Sequence, residues 1–208
     1  MFECILFDSD GTLVDSEMLS MKVLAEQMAP YGADLDPDKL HDRYKGWKYG
    51  EVIEILKDEL NLDLPKDFEA GFRRQQLESF DTLLEPIPGV PELLPRLSQD
   101  MAVVTSGPMP KVRKALSVTG LAQFFGDNIY SAWEVGIWKP DPGIYLHAAE
   151  DMGYGIEQCI AIEDSPIGLV AAVESGIQSV FLNRFGEECP YDNVIQIESM
   201  PELLSVLN

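Results

Sequence analysis

Positive charge is what this chain has least of. Its 208 residues carry 36 Asp and Glu against 15 Lys and Arg, a formal net charge of −21 at pH 7. A surface that negative repels a polyanion, so nucleic acid is not an expected partner. A small anionic ligand would have to be held by a few well-placed cations, which makes each basic residue informative. Long hydrophobic runs are also missing. None approaches the roughly 20 apolar residues that span a bilayer, and no membrane partner is expected. The N-terminus lacks the basic, apolar, small-residue order of a secretory signal, because its first charge is Glu3 and its apolar run stops at Asp8. Cysteine is scarce and odd in number: Cys4, Cys159 and Cys189 lie far apart. That excludes a dense disulfide framework and suits reduced core thiols in a cytoplasmic protein.

What remains is ordinary for a globular protein, with 46% hydrophobic and 25% charged residues. The length allows one substantial core and a smaller second lobe. The apolar run Cys4 to Phe7 reads as a strand buried on both faces. Residues 16 to 86 then show helical spacing and no convincing strand. One helix opens at Ser16 and Glu17 and carries Met18, Met21, Val23, Leu24 and Met28 before Pro30 and Gly32 stop it. A second starts at Asp36-Pro37 with Leu40 and Tyr44 inward; a third carries Val52, Ile53, Leu56 and Leu60; a fourth runs from Lys66 to about Leu84. Pro86-Ile87-Pro88-Gly89 is a stiff exit linker.

From Gly89 helix and strand alternate: helix Val90 to Leu97, strand Met101 to Thr105, helix Pro110 to Leu116, strand Ile129 to Ser131, helix Pro142 to Met152. Strand Cys159 to Ile162, helix Gly168 to Glu174, strand Ser179 to Leu182 and a last pair, Val194 to Ile197 and Pro201 to Leu207, complete it. Such alternation predicts an α/β fold, a doubly wound (Rossmann-like) parallel sheet, formed by residues 1–15 and 87–208. Residues 16–86 are the inserted helical domain.

Polar residues stand where three of these strands end, and in a parallel sheet that edge binds ligands. Asp8-Ser9-Asp10-Gly11-Thr12 follows the first strand, offering two carboxylates of which one could attack while the other moves protons. Taken alone, the same turn would serve as an acidic cap. Thr105-Ser106-Gly107 offers a hydroxyl and approachable backbone N–H groups, suited to a phosphate or simply to a strand-ending turn. Trp138-Lys139-Pro140-Asp141-Pro142 fixes a lysine between an aromatic and a proline. Glu163-Asp164-Ser165-Pro166 closes another apolar run, and paired acids there are costly without a cation, which favours a metal.

These four segments, in this order and at this spacing, resemble the haloacid dehalogenase superfamily, in the branch with a helical cap inserted after the first motif. The resemblance implies Asp8 as nucleophile, Asp10 as general acid/base, Thr105 as phosphate-binding hydroxyl with Ser106 and Gly107 adding backbone donors, and Lys139 as charge-stabilising lysine. It implies a Mg²⁺ site of Asp8, Asp164, Glu163 and the backbone carbonyl of Asp10. An acid at position 10 points to phosphoryl transfer and away from carbon–halogen cleavage, so the implied partner is a small phosphate ester, handled by a monomer. In the helical segment, Arg43-Tyr44-Lys45-Gly46-Trp47-Lys48-Tyr49 clusters cations and aromatics on an acidic chain, and resembles the substrate-specificity loop of β-phosphoglucomutase-like enzymes. Ser20 and Tyr49 stand where that mutase has a histidine and an arginine. Together with Ser-Gly-Pro after the second motif, the loop looks more like the bacterial 6-phosphogluconate phosphatase group, with a phosphosugar mutase as the alternative. Lys45, Gly46, Trp47 and Lys48 are the specificity candidates.

Overall fold

A computed structural model describes residues 2–207. Its centre is β1 (Cys4–Phe7), four residues with no solvent exposure. Cys4 and Leu6 pack in a cluster with Ile144, Tyr145, Ala148 and Ala172, while on the opposite side Phe7 meets Phe125 edge-on at 6.1 Å. Apolar burial on both faces is what makes an unbroken run fit this strand and an alternating one fail.

β1 is one of six parallel strands: β2 (Asp100–Thr105), β3 (Ile129–Ser131), β4 (Cys159–Glu163), β5 (Gln178–Leu182) and β6 (Ile195–Ile197), in the order β3-β2-β1-β4-β5-β6. The chain winds outward from β1 to β3, then returns to β4 on the other side of β1. The reversal leaves a crevice beyond the carboxyl ends of β1 and β4. Register aligns Phe7 with Val103 of β2 and with Ile162 of β4. The segments that follow the three central strands therefore converge on one edge.

The chain divides into two compact units. One combines the stretch ending at Val14 with the stretch beginning at Glu85, and the other is Asp15–Leu84. The second unit holds α1 (Ser16–Met28), α2 (Pro37–Tyr44), α3 (Tyr49–Glu59) and α4 (Phe68–Leu83), and among its described residues no strand is found. Its core joins Met21, Leu24 and Met28 to Leu40, Tyr44, Val52, Leu56 and Phe72. The Asp36 carboxylate caps α2 by accepting from the Asp38 N–H. α4 starts two residues later than its pattern suggests, because the Phe68 N–H first closes a turn onto the Pro65 carbonyl.

In the first unit the helices are α5 (Val90–Leu93), α6 (Met109–Val118), α7 (Ala122–Phe125), α8 (Ala132–Val135), α9 (Gly143–Asp151), α10 (Pro166–Glu174) and α11 (Leu203–Leu207). The helix expected from Val90 to Leu97 is α only to Leu93 and continues as a 3₁₀ turn, Leu94–Arg96. Pro95 has no N–H to continue the α ladder. α7 and α8 add to the expected elements; four residues are too few to show helical periodicity. Among the described residues no helix is long and apolar enough to cross a membrane.

Candidate active site

The loop after β1 folds tightly on itself. The N–H groups of Leu13 and Val14 both donate to the Ser9 carbonyl, and the Gly11 N–H donates to the Val14 carbonyl at 2.8 Å. Gly11 adopts φ +84, and a Cβ there would collide with the Asp164 carboxylate. Glycine is needed on both counts. This geometry delivers Asp8 into the edge of the sheet, 8% exposed.

The ammonium of Lys139 meets Asp8 there. Its Nζ donates to Asp8 Oδ1 at 2.5 Å and to the Val104 carbonyl at 2.8 Å, and lies 2.6 Å from Glu163 Oε1. The Tyr145 hydroxyl, on the first turn of α9, donates to the same Glu163 oxygen at 2.5 Å, and its ring lies 5.2 Å from Lys139 Nζ. Asp164 accepts from the Thr12 hydroxyl at 3.1 Å. Burial pushes the Asp8 carboxyl well above the ordinary carboxylate range; Lys139 pulls it down, while the charges of Glu163, Asp164 and Asp10 push it further up. Burial also opposes the Lys139 charge, yet Asp8 and Glu163 together hold that lysine above its usual value. Burial and Glu163 raise Tyr145 in turn. The arrangement is a buried cation shared by two acids, with a third acid beside them.

Thr105 ends β2 fully buried, and its Oγ1 accepts from the Gly107 N–H at 3.0 Å. That N–H, expected as a phosphate donor, is thus engaged by the loop's own hydroxyl. Ser106 is half-buried in the same turn. A Cβ on Gly107 would stand 3.3 Å from Thr105 Oγ1 and 3.4 Å from Asp10 Oδ2, so Thr105, Gly107 and Asp10 meet at one corner. The buried Ser131 hydroxyl pins the turn by donating to the Gly107 carbonyl at 2.7 Å.

A carboxylate delivered by a β1 loop, a hydroxyl after β2, a lysine shared between two acids and an acidic pair after β4 define a known constellation, and the haloacid dehalogenase-like hydrolase family model matches residues 5–182. The chain belongs to this family. It is 34% identical to the 6-phosphogluconate phosphatase of Escherichia coli (strain K12) over 177 residues, 85% of this chain and 80% of that protein. The phosphorylated carbohydrates phosphatase of Thermotoga maritima is 30% identical, over 86% of this chain and 84% of its own. Among solved structures, a HAD family hydrolase from Deinococcus radiodurans R1 with bound phosphate and sodium covers 99% of this chain and 95% of its own at 27% identity and a TM-score of 0.80.

In this family member Asp8, Glu163 and Asp164 each offer an oxygen, all within 4.8 Å of one another. Glu163 Oε2 is buried with no hydrogen-bond partner among the described residues. Glycines stand where side chains would fill the space, since a Cβ on Gly168 would strike the Glu163 carboxylate as one on Gly11 would strike Asp164. An all-oxygen, net-negative donor set of this kind fits a hard divalent cation. The Asp10 side chain stands apart from that set; its Oδ1 lies 2.8 Å from Nζ of Lys111.

The specificity candidates lie in the other unit. Gly46, at φ +78, donates its N–H to Glu17 Oε1 at 3.0 Å, and Glu17 Oε2 lies 3.7 Å from His41 Nε2. Lys45 is buried, whereas the Lys48 side chain is half exposed and 3.9 Å from Glu51. Trp47 is exposed and stands edge-on to Tyr44. Arg43 is committed to Glu59 through both terminal guanidinium nitrogens, at 2.8 and 2.5 Å, so the cation cluster is smaller than the sequence suggests.

Lys111 and Tyr145 escaped the sequence reading, and Thr12 and Ser131 entered it only as members of the first motif and of a strand, with no partner assigned. Lys111 alone carried a signal, as a basic residue three positions beyond the family-like Ser-Gly-Pro in a chain poor in cations. Tyr145 in an amphipathic helix reads only as core.

Removing the shared cation leaves two acids buried without a counter-charge, which costs about 3–5 kcal/mol. Lys139→Met is therefore expected to lose about that much stability in denaturant unfolding with chelator present. A loss under about 1 kcal/mol would show that Asp8 and Glu163 do not depend on it.

Proposed function

We propose that the protein is a Mg²⁺-dependent phosphomonoesterase that hydrolyses a small phosphorylated sugar or sugar acid through an aspartyl phosphate on Asp8. The observation that carries this reading is the contact of the buried Asp8 carboxylate with Lys139 beside Glu163 and Asp164. A carboxylate can attack a phosphate dianion only where positive charge is supplied. Lys139 supplies one such charge. Asp8, Asp164, Glu163 and the backbone carbonyl of Asp10 would hold Mg²⁺, which supplies the rest.

An Asp8 oxygen attacks phosphorus, the bond to the ester oxygen breaks, and Asp10 gives that oxygen its proton. In the second half Asp10 takes a proton from water, the water oxygen attacks the same phosphorus, and the Asp8 carboxylate is released. Thr105 and the Ser106-Gly107 backbone hold the phosphoryl oxygens, which requires the Gly107 N–H to exchange the Thr105 hydroxyl for phosphate. Asp15–Leu84 serves as the cap, with residues 45–48 choosing the substrate. The names of the relatives support sugar phosphates as the class. Ser20 supports hydrolysis over mutase chemistry: in place of the mutase histidine, its hydroxyl is fully buried, donates to the Ser16 carbonyl and accepts from Gln76.

Phosphate release from 6-phosphogluconate, a neutral sugar monophosphate and 4-nitrophenyl phosphate should occur with Mg²⁺ and stop with chelator. Asp8→Asn should fold and be inactive. Turnover undiminished by chelator, or by the asparagine, would contradict the proposal.

Lys45→Ala should lower kcat/KM for 6-phosphogluconate about 10- to 100-fold more than for the aryl ester, the range of a desolvated charge-assisted contact of about 1.5–3 kcal/mol. Lys48→Ala should do less, since an exposed lysine already near a glutamate contributes little. Small, uniform effects from both would place specificity elsewhere.

A further inference from the structure

Lys111 is a basic residue in an unfavourable place. It is the third residue of α6, and it is 6% exposed. The first turn of a helix carries the positive end of the dipole, and burial penalises an unscreened charge. Neither propensity nor packing asks for lysine there; a neutral side chain of that length would suit the position better. What compensates is Asp10 Oδ1, 2.8 Å away.

Asp10 in turn sits in a loop, with its side chain about one-sixth exposed. Two neighbours bracket it. Lys111 holds Oδ1, and Oδ2 lies against Gly107, where a Cβ would stand 3.4 Å from it and 3.3 Å from Thr105 Oγ1. The missing side chain at Gly107 keeps the Oδ2 side open, and that side is shared with the Thr105 hydroxyl.

We propose that Lys111 is the positioning residue for Asp10: by occupying Oδ1 it turns Oδ2 toward the Thr105–Gly107 corner and makes Oδ2 the oxygen that passes the proton to the leaving alcohol. The inference rests on the phosphatase reading above. It assigns Lys111 no contact with the transferred phosphoryl group. Its energetic role is orientation, holding a donor within hydrogen-bond reach of the oxygen it protonates.

The test compares two esters that differ in their need for that proton. kcat/KM covers the steps up to departure of the alcohol, so it isolates proton donation from the later hydrolysis of the phosphoenzyme. For Lys111→Met with Mg²⁺, kcat/KM on 6-phosphogluconate should fall about 10- to 100-fold. On 4-nitrophenyl phosphate, whose leaving group needs no proton, it should change less than about threefold. Lys111→Arg, which keeps a cation within reach of Oδ1, should recover most of the loss. Adding Lys111→Met to Asp10→Asn should produce no further loss on 6-phosphogluconate. Lys111→Gln provides the same ratio should the methionine variant fail to fold. Equal losses on both esters would make Lys111 a phosphate-binding or purely structural residue and overturn the inference, as would an unaffected alkyl ester. Wild-type protein inactive on both esters would instead refute the phosphatase reading itself.

Discussion

A lysine ammonium shared by two buried carboxylates is the constraint from which the rest of the site follows. Asp8 and Glu163 leave adjacent parallel strands in register, so the topology of β1 and β4 brings two acids to one point in a low-dielectric edge. Two such charges cannot remain ionised there without a cation. Lys139 must therefore reach in from the segment before α9, with the Val104 carbonyl and the Tyr145 ring completing its surroundings. Glycine at 11 and 168 follows from the same crowding, because the acids fill the space a Cβ would need.

The chain's charge economy has the same logic. With 36 acids against 15 bases, several cations are spent in local pairs at the surface, such as Arg73 with Glu69 and Lys57 with Glu54. Such pairs contribute little to stability. Two lysines of the first unit, 111 and 139, are instead buried against acids of the β1 loop, where the low dielectric gives each contact a much larger effect. The protein places cations where phosphate chemistry would need them and leaves the remaining surface negative.

Much of this was legible in advance. β1 and β3 run as their apolar stretches read, Cys4–Phe7 and Ile129–Ser131, because a strand buried on both faces has a hard polar end. The ends of β1, β2 and β4 also carry the candidate site residues: Asp8, Thr105, Glu163 and Asp164 are each the last residue of a strand or its immediate successor. Less legible was whatever depends on partners distant in the chain. Nothing local to Lys111 announces Asp10. Arg43 looked available until α3 brought Glu59 beside it. The short helices Ala122–Phe125 and Ala132–Val135 were hidden for a different reason, being set by tertiary packing and caps and not by periodicity.

The central claim is that the buried Asp8 becomes covalently phosphorylated, and one measurement addresses it most directly. Enzyme mixed with a ³²P-labelled phosphate ester and Mg²⁺ is quenched in acid within milliseconds, digested, and the labelled peptide sequenced by mass spectrometry. The account predicts an acid-stable, base-labile label on the peptide bearing Asp8. A label on any other residue, or turnover with no labelled enzyme in the quenched samples and no early burst of released alcohol, would contradict it.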